Sequence, residues 1–246
     1  MTKRSTEQRG GDGLRLQVYI SQAGVASRRQ AMVLIQDGHV SVNGQPVTEP
    51  SIRVSGRDDV RVDGNRVVPP AFQYIMMHKP AGYVTTRMDP HAKKTIYDLL
   101  PPAFFQLKPV GRLDKDTEGL LLLTNDGKTI QKLTHPRYNV NKTYILRLQG
   151  VLKPEDRKRI ERGLFIEGRK TAPARVEHVH SQGLETQLAL TIHEGRKRQI
   201  RNMMAHLGYK VLALKRVRQG PVKLGGLPTG AFRLLTEQEV RELKTG

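Results

Sequence analysis

Apolar residues in this chain recur first at helical spacing and then, further along, at strand spacing. Between residues 14 and 23, Leu16, Tyr19, Ile20 and Ala23 share one helical face, and Gly24 interrupts the pattern. Ser27 opens a second helix with Gln30 three residues on, the arrangement of a capping box. Ala31, Met32, Leu34 and Ile35 supply its apolar face, and Gly38 stands where it must stop. Val40 and Val42 alternate with polar neighbours before Asn43-Gly44, the favoured pair for a type I′ hairpin turn. Short strands are expected around Ile52–Val54 and Val60–Val62.

Residues 64–73 contain Pro69-Pro70 and read as a stiff connection. Beyond it the elements lengthen. Tyr74–Met77 is a strand ending at Lys79-Pro80-Ala81-Gly82, and Gly119–Thr124 is a strand buried on both faces, closed by Asn125-Asp126-Gly127. Thr143–Leu148 and Thr186–His193 are further strands; in the latter Leu188, Leu190 and Ile192 alternate with Gln187, Ala189 and Thr191. Ile200, Met203, Met204 and Leu207 define a helix stopped by Gly208, and Thr236 with Glu239 forms a capping box for a final helix. The pattern predicts an α+β protein: a small helix–helix–hairpin module, then a larger domain with a mixed or antiparallel sheet and flanking helices. The expected divisions are a disordered basic tail over 1–13, the module over 14–63, a linker over 64–73 and the large domain over 74–246.

Charge narrows the choice of partner. Lys and Arg number 42 against 23 Asp and Glu, a formal net charge of +19, so a polyanion is the first expectation. The absence of cysteine excludes disulfides, thiolate zinc sites, iron–sulfur clusters and cysteine nucleophiles, and suits a reducing compartment. No apolar stretch reaches transmembrane length, and the start of the chain has no apolar signal core. A cytoplasmic nucleic-acid protein is the expectation, with no membrane role.

Candidate chemistry concentrates in two segments. The first runs from Pro109 to Gly119 and sets Gly111-Arg112-Leu113-Asp114-Lys115-Asp116-Thr117-Glu118 directly before a buried strand, where a site is rigidly supported. Asp114, Asp116 and Glu118 alternate as in a divalent-cation loop, but Arg112 and Lys115 interleave them and no matching carboxylate cluster follows, so no metal is expected. His178, His180 and His193 lack the spacing of ligands. There is no phosphate-cradling loop and no dinucleotide fingerprint, so no nucleotide cofactor is expected. The second segment, Glu194-Gly195-Arg196-Lys197-Arg198-Gln199-Ile200-Arg201, crowds cations at a helix start. They are unfavourable there unless an anionic ligand or a carboxylate from elsewhere compensates them. Lys210, Lys215, Arg216, Arg218 and Lys223 continue the basic character as a candidate RNA-backbone track. Arg28 and Arg29 place two more cations in the first turn of the second helix.

Two resemblances organise these signals. Ala23-Gly24-Val25-Ala26-Ser27-Arg28-Arg29, followed by Gly38-His39-Val40-Ser41-Val42-Asn43-Gly44, resembles the S-four RNA-binding domain, which implies RNA contacts for Arg28 and Arg29. Gly111-Arg112-Leu113-Asp114, Lys142-Thr143-Tyr144 and Gly195–Arg201 stand in the order of three pseudouridine synthase motifs. From about Leu14 to Leu243 the chain resembles the ribosomal RNA pseudouridine synthases of the RsuA/RluB type. That resemblance implies isomerisation of uridine within RNA, without metal or cofactor, and places the essential carboxylate at Asp114. It implies that Tyr144 packs on the target base and can act on a sugar proton, that Ile200 forms the opposite wall, that Arg201 pairs with Asp114, and that Arg112 holds the RNA where the uridine leaves its stack. Arg196, Lys197, Arg198, Lys215 and Arg216 are the expected RNA contacts of this domain. The carboxylate can stabilise charge at the sugar, capture it covalently, assist a glycal or attack the base, and these routes stay open. The expected partner is ribosomal RNA or an assembling subunit, with the large subunit favoured and the protein a monomer. A noncatalytic ribosome-assembly factor is the runner-up and a metal-dependent nuclease the third reading.

Overall fold

The computed structural model describes residues 13–87 and 93–245; the expected tail therefore lies outside the described residues, Gly13 excepted. The chain divides into two compact units between Ala71 and Phe72.

In the first unit, helix α1 (Leu16–Gln22) packs on helix α2 (Arg28–Gln36). Ser27 caps α2 as its sequence predicts: its Oγ accepts from the Gln30 amide at 3.3 Å, and Gln30 returns its Oε1 to the Ser27 amide at 3.1 Å. Strand β1 (Val40–Val42) turns through Asn43 and Gly44, both at positive φ, as a type I′ turn requires. It then pairs with strand β2 (Val60–Val62). Leu16, Ile20, Ala31, Ile35 and Val60 form a core from which water is fully excluded. One boundary moves. Asp63 and Gly64, at φ 48° and 78°, make a second turn of the same kind, so Asn65 pairs back onto Val62 and Val67 joins the core. Residues 64–67 thus belong to the module and not to a linker.

The second unit is built on one mixed sheet. Its main strands are β3 (Tyr74–Lys79), β4 (Glu118–Thr124), β5 (Lys142–Gln149), β6 (Arg175–Gln182), β7 (Glu185–Ile192), β8 (Lys210–Gln219) and β9 (Phe232–Leu234), with two short pieces, Lys108–Pro109 and Val222–Lys223, paired onto β4 and β8. They lie in the order β6-β7-β5-β8-β4-β3-β9. Helices α3 (Gly127–Thr134), α4 (Pro154–Arg162), α5 (Gln199–His206) and α6 (Glu237–Thr245) complete the unit. The apolar run in β4 is explained by its central place: Leu121 and Leu123 join Ile75 and Met77 in one core, while Leu120 and Leu122 join Met76, Leu133 and Leu243 in another. Each leucine so buried contributes about 1.5–3 kcal/mol.

Every neighbouring pair in this order is antiparallel except β8 with β4, whose parallel register sets Lys215 against Glu118 and Arg216 against Gly119. Gly119 sits at φ 113°, and a Cβ there would meet the Arg216 carbonyl oxygen and lie 2.6 Å from the Arg216 amide nitrogen. Only glycine permits this approach. Gly119→Ala is expected to destabilise the protein by at least about 3 kcal/mol, from backbone strain and the displaced junction together. Urea unfolding measures this, and a loss under 1 kcal/mol would mean that the junction yields easily.

β8 also corrects the sequence reading of the basic track. Arg216 is not a surface RNA contact: it is 2% exposed, and its Nε donates to the Leu120 carbonyl at 2.7 Å. An interior strand must alternate sides, and residue 216 falls on the buried one. A bulge interrupts β6 between Glu177 and His180, breaking the regular alternation at His178.

Candidate active site

The loop before β4, the middle of β5 and the start of α5 converge on an open cleft of about 630 Å³. Arg112, Asp114, Tyr144, Arg196, Lys197, Arg198 and Ile200 all line it; Arg201, Lys215 and Arg216 do not. Thr117, Ile192, Gln199 and Leu214 are also on its wall, and the sequence reading gave none of them a role. Tyr144 is 8% exposed and Ile200 4%, so their rings and methyls present an apolar slot rather than a free surface.

The three alternating acids have separate fates. Glu118 takes Lys215 Nζ at 3.1 Å and His78 Nε2 at 3.4 Å. Asp116 receives both terminal nitrogens of Arg198, at 3.1 and 3.2 Å. Burial opposes charge on both carboxylates, but the hydrogen bonds from Arg198 to Asp116, and from Lys215 and His78 to Glu118, hold both below the usual carboxylate range. The Asp114 carboxylate has no hydrogen bond or ion pair among the described residues and faces the cleft half-buried. Position along the loop, not residue type, selects it.

Arg201 departs from expectation. Its Nε lies 3.2 Å from Asp116 Oδ2 without hydrogen-bond alignment, its Nη2 donates to the Asp116 carbonyl at 2.9 Å, and its Nη1 donates to the Val211 carbonyl at 3.3 Å. It therefore pairs with Asp116, not Asp114. The carboxylate that compensates the basic start of α5 is Asp116, two residues beyond the one the resemblance implied. Arg198, the residue preceding α5, sits at φ 51°, a left-handed conformation that costs a non-glycine residue about 1 kcal/mol or more. Its bidentate grip on Asp116 keeps it there.

What positions Asp114 is a residue the sequence reading passed over. Lys79, at the end of β3, is fully buried, and its Nζ donates to the carbonyls of Pro80 at 3.0 Å, Asp114 at 3.1 Å, Lys115 at 3.4 Å and Thr117 at 2.8 Å. Burial pushes its pKa down to about 8, against the pull of the Asp116 and Asp114 carboxylates. Thr85 adds a second tie, donating to the Leu113 carbonyl at 2.8 Å and accepting from its amide at 3.3 Å. The sequence signal was a lysine ending an otherwise apolar strand. Lys142 plays a similar part for the other wall: half-buried, with its pKa lowered to about 8 by desolvation, it donates to the carbonyls of Val140 at 2.9 Å and His193 at 3.3 Å.

The cations divide into committed and free. Arg196 donates to the Lys170 carbonyl at 2.6 Å and lies 3.4 Å from Glu194, so much of its hydrogen-bonding capacity serves the protein itself. Gln199 is buried behind it, accepting from the Arg196 amide at 3.0 Å and donating to Glu194. Arg112 and Lys197 are exposed and donate to no described residue, as do Arg28 and Arg29 in the first unit. Lys215 is occupied by Glu118.

A carboxylate beside an apolar slot, rimmed by cations, with neither the acid nor Arg112 and Lys197 paired among the described residues, suits an enzyme that receives one extruded base of a polyanion. The fold and cleft thus point to an RNA-modifying enzyme. The chain belongs to the RNA pseudouridylate synthase family: residues 73–206 match that family, and residues 14–60 match the S4 domain. Ribosomal large subunit pseudouridine synthase B of Bacillus subtilis is 42% identical over 232 residues, covering 94% of this chain and 95% of that one. An uncharacterized RNA pseudouridine synthase of Aquifex aeolicus is 40% identical, with 94% and 93% covered. A crystal structure of a pseudouridylate synthase, 32% identical, superposes with a TM-score of 0.67 over 94% of this chain and 99% of that chain. The protein is a pseudouridine synthase, an isomerase with an RNA substrate. The catalytic reading thus prevails over the binding-only one.

Proposed function

We propose that the protein converts a uridine of large-subunit ribosomal RNA to pseudouridine, with Asp114 as the carboxylate that acts on the nucleotide. The observation that carries this assignment is that Asp114 alone, of the three acids in its loop, faces the cleft with no partner among the described residues. Uracil must leave C1′, turn and rejoin through C5, surrendering the C5 proton and gaining one at N1. A carboxylate held at the sugar can stabilise the charge that develops as the first bond breaks. Tyr144 and Ile200 are the walls between which the base turns, and an apolar slot lets it rotate without exchanging strong hydrogen bonds. The Tyr144 hydroxyl makes no hydrogen bond among the described residues and is free to accompany proton transfer at the sugar.

Arg112 and Lys197 hold phosphates around the extruded nucleotide, Arg198 lends charge at the rim, and Arg28 and Arg29 carry the first unit's share of RNA affinity. Arg201 positions the Asp116 loop and is not a partner of Asp114. The enzyme works as a monomer in the cytoplasm on ribosomal RNA or an assembling subunit. Among the described residues, no helix is long and apolar enough to cross a membrane. The large-subunit substrate rests on the 42% identical relative, whose name carries that specificity.

The test is to incubate the purified protein, without added metal or nucleotide, with transcripts of large- and small-subunit ribosomal RNA and to map pseudouridine in each. Modification at one position of the large-subunit transcript is expected. Modification confined to the small-subunit transcript would overturn the substrate assignment, and modification of neither would overturn the ribosomal reading.

A further inference from the structure

One aromatic residue of the catalytic unit is placed where folding has no use for it. Phe165 is 67% exposed, more than Phe72 at 46% or Phe105 at 45%. Burying a phenylalanine stabilises a protein by about 1.5–3 kcal/mol, and this one forgoes most of that gain. Its neighbour Ile166 is buried, so the strand itself is anchored and only the phenyl ring is offered to solvent.

The ring stands on a stiff support. Phe165–Ile166 pairs with Arg169–Lys170 in a hairpin whose turn residues, Glu167 and Gly168, lie at φ 49° and 74°. At its base the Leu164 amide donates to Thr171 Oγ1 at 3.0 Å and the Thr171 amide to the Leu164 carbonyl at 2.8 Å. Gly163, at φ 86°, lies so close to the Thr171 carbonyl that no Cβ would fit. The turn is tied to α5 by Asn202 Nδ2, which donates to Glu167 Oε1 at 2.8 Å. Arg196, a wall residue of the cleft, donates to the Lys170 carbonyl at 2.6 Å. The hairpin is thereby fixed to the same loop that closes the catalytic cleft.

Its chemistry matches one kind of partner. Register places Phe165 directly across from Lys170, so an aromatic and a cationic side chain leave the same side of the hairpin, both exposed, with Arg169 exposed on the next position. An unpaired nucleotide offers a flat base with a phosphate beside it, and aromatic–base stacking beside a cation is how proteins grip single-stranded RNA. With the backbone held before binding, only the ring's own few rotamers remain to be ordered, so little entropy is lost.

We propose that Phe165 and Lys170 form a stacking platform for an unpaired nucleotide that flanks the target uridine, with Phe165 under its base and Lys170 on its phosphate. This deepens the reading of the cleft as an RNA-modifying site and rests on it. An extruded uridine leaves its neighbours without a stacking partner, and a platform on the cleft's own loop replaces that partner.

The chain contains no tryptophan, so Phe165→Trp creates a single reporter at the platform. Its emission is expected to be quenched by a single-stranded oligouridylate and by the large-subunit transcript, and far less by a duplex of equal length. Phe165→Ala should weaken binding of the transcript about tenfold and Phe165→Tyr should restore it, the difference being about 1.4 kcal/mol. Lys170→Met should weaken it less and flatten its salt dependence. An unquenched tryptophan together with wild-type affinity for Phe165→Ala would overturn the platform, while pseudouridine formed by the unaltered enzyme would leave the catalytic reading standing. Quenching and weakened binding without any pseudouridine in the transcript would do the reverse.

Discussion

Asp114→Asn is expected to abolish pseudouridine formation, by about 10⁴-fold or more, while RNA remains bound. The substitution keeps the shape of the side chain but removes its charge and most of its nucleophilicity. A loss of that size corresponds to roughly 5 kcal/mol or more in the barrier. Asp116→Asn is the informative control. Its carboxylate is 46% exposed and joins Arg198 and Arg201, so its loss loosens the start of α5 without touching the reacting atoms. Water screens a carboxylate this exposed, so each of its two pairs contributes about 1 kcal/mol or less, which limits that variant to roughly a thirtyfold defect. Glu118→Gln, which frees Lys215 and His78 outside the cleft, should do no more. Single-turnover conversion of the transcript, with affinity measured separately, checks the series. Near-normal conversion by folded Asp114→Asn would sink the assignment, and equal losses at all three acids would return the metal-loop reading.

Lys79→Met should have the largest structural effect. It strips the donor from four main-chain carbonyls, three of them in the Asp114 loop. Buried acceptors left unpaired cost about 1–3 kcal/mol each, offset in part because the ammonium itself no longer has to be desolvated. A net loss of about 3 kcal/mol is expected, lowering Tm by roughly 6–12 °C. Turnover should fall with it, since the Asp114 backbone is no longer anchored. The pH dependence has a definite sign. With the folded pKa at about 8 and the unfolded value near about 10.4, the unfolded chain binds more protons between these limits. Below pH 8 both states are protonated and the cost of burying the charge is fully present; as pH rises from 8 towards 10 that cost is relieved. The stability difference between the wild type and Lys79→Met should therefore widen over this window. Thermal unfolding at pH 7, 8.5 and 10 measures it, and a difference that shrinks with pH would show that the ammonium is not buried as described.

The local elements were legible because they depend on neighbours in the chain. The Ser27–Gln30 box, the Asn43-Gly44 turn and the Thr236–Glu239 box rest on contacts within a few residues, and each is present in the structure; the strand at Gly119–Thr124 pairs with distant segments, yet its unbroken apolar run announces it. The order of three motifs sufficed to indicate the chemistry and to bring Arg112, Asp114, Tyr144 and Ile200 forward as one group. Tertiary structure decided which charges are available. Arg216 and Lys197 look equally basic in the sequence, yet pairing of β8 with β4 and β5 buries the first and leaves the second at the cleft. Asp114 and Asp116 differ by two positions, and only the return of α5 against their loop commits Asp116 to two arginines and leaves Asp114 without a partner among the described residues. Lys79 lies 35 residues from the aspartate whose carbonyl it holds, beyond the reach of any periodicity. Short-range geometry is written in adjacent residues, whereas the state of a charge depends on what long-range folding brings within a few ångströms of it.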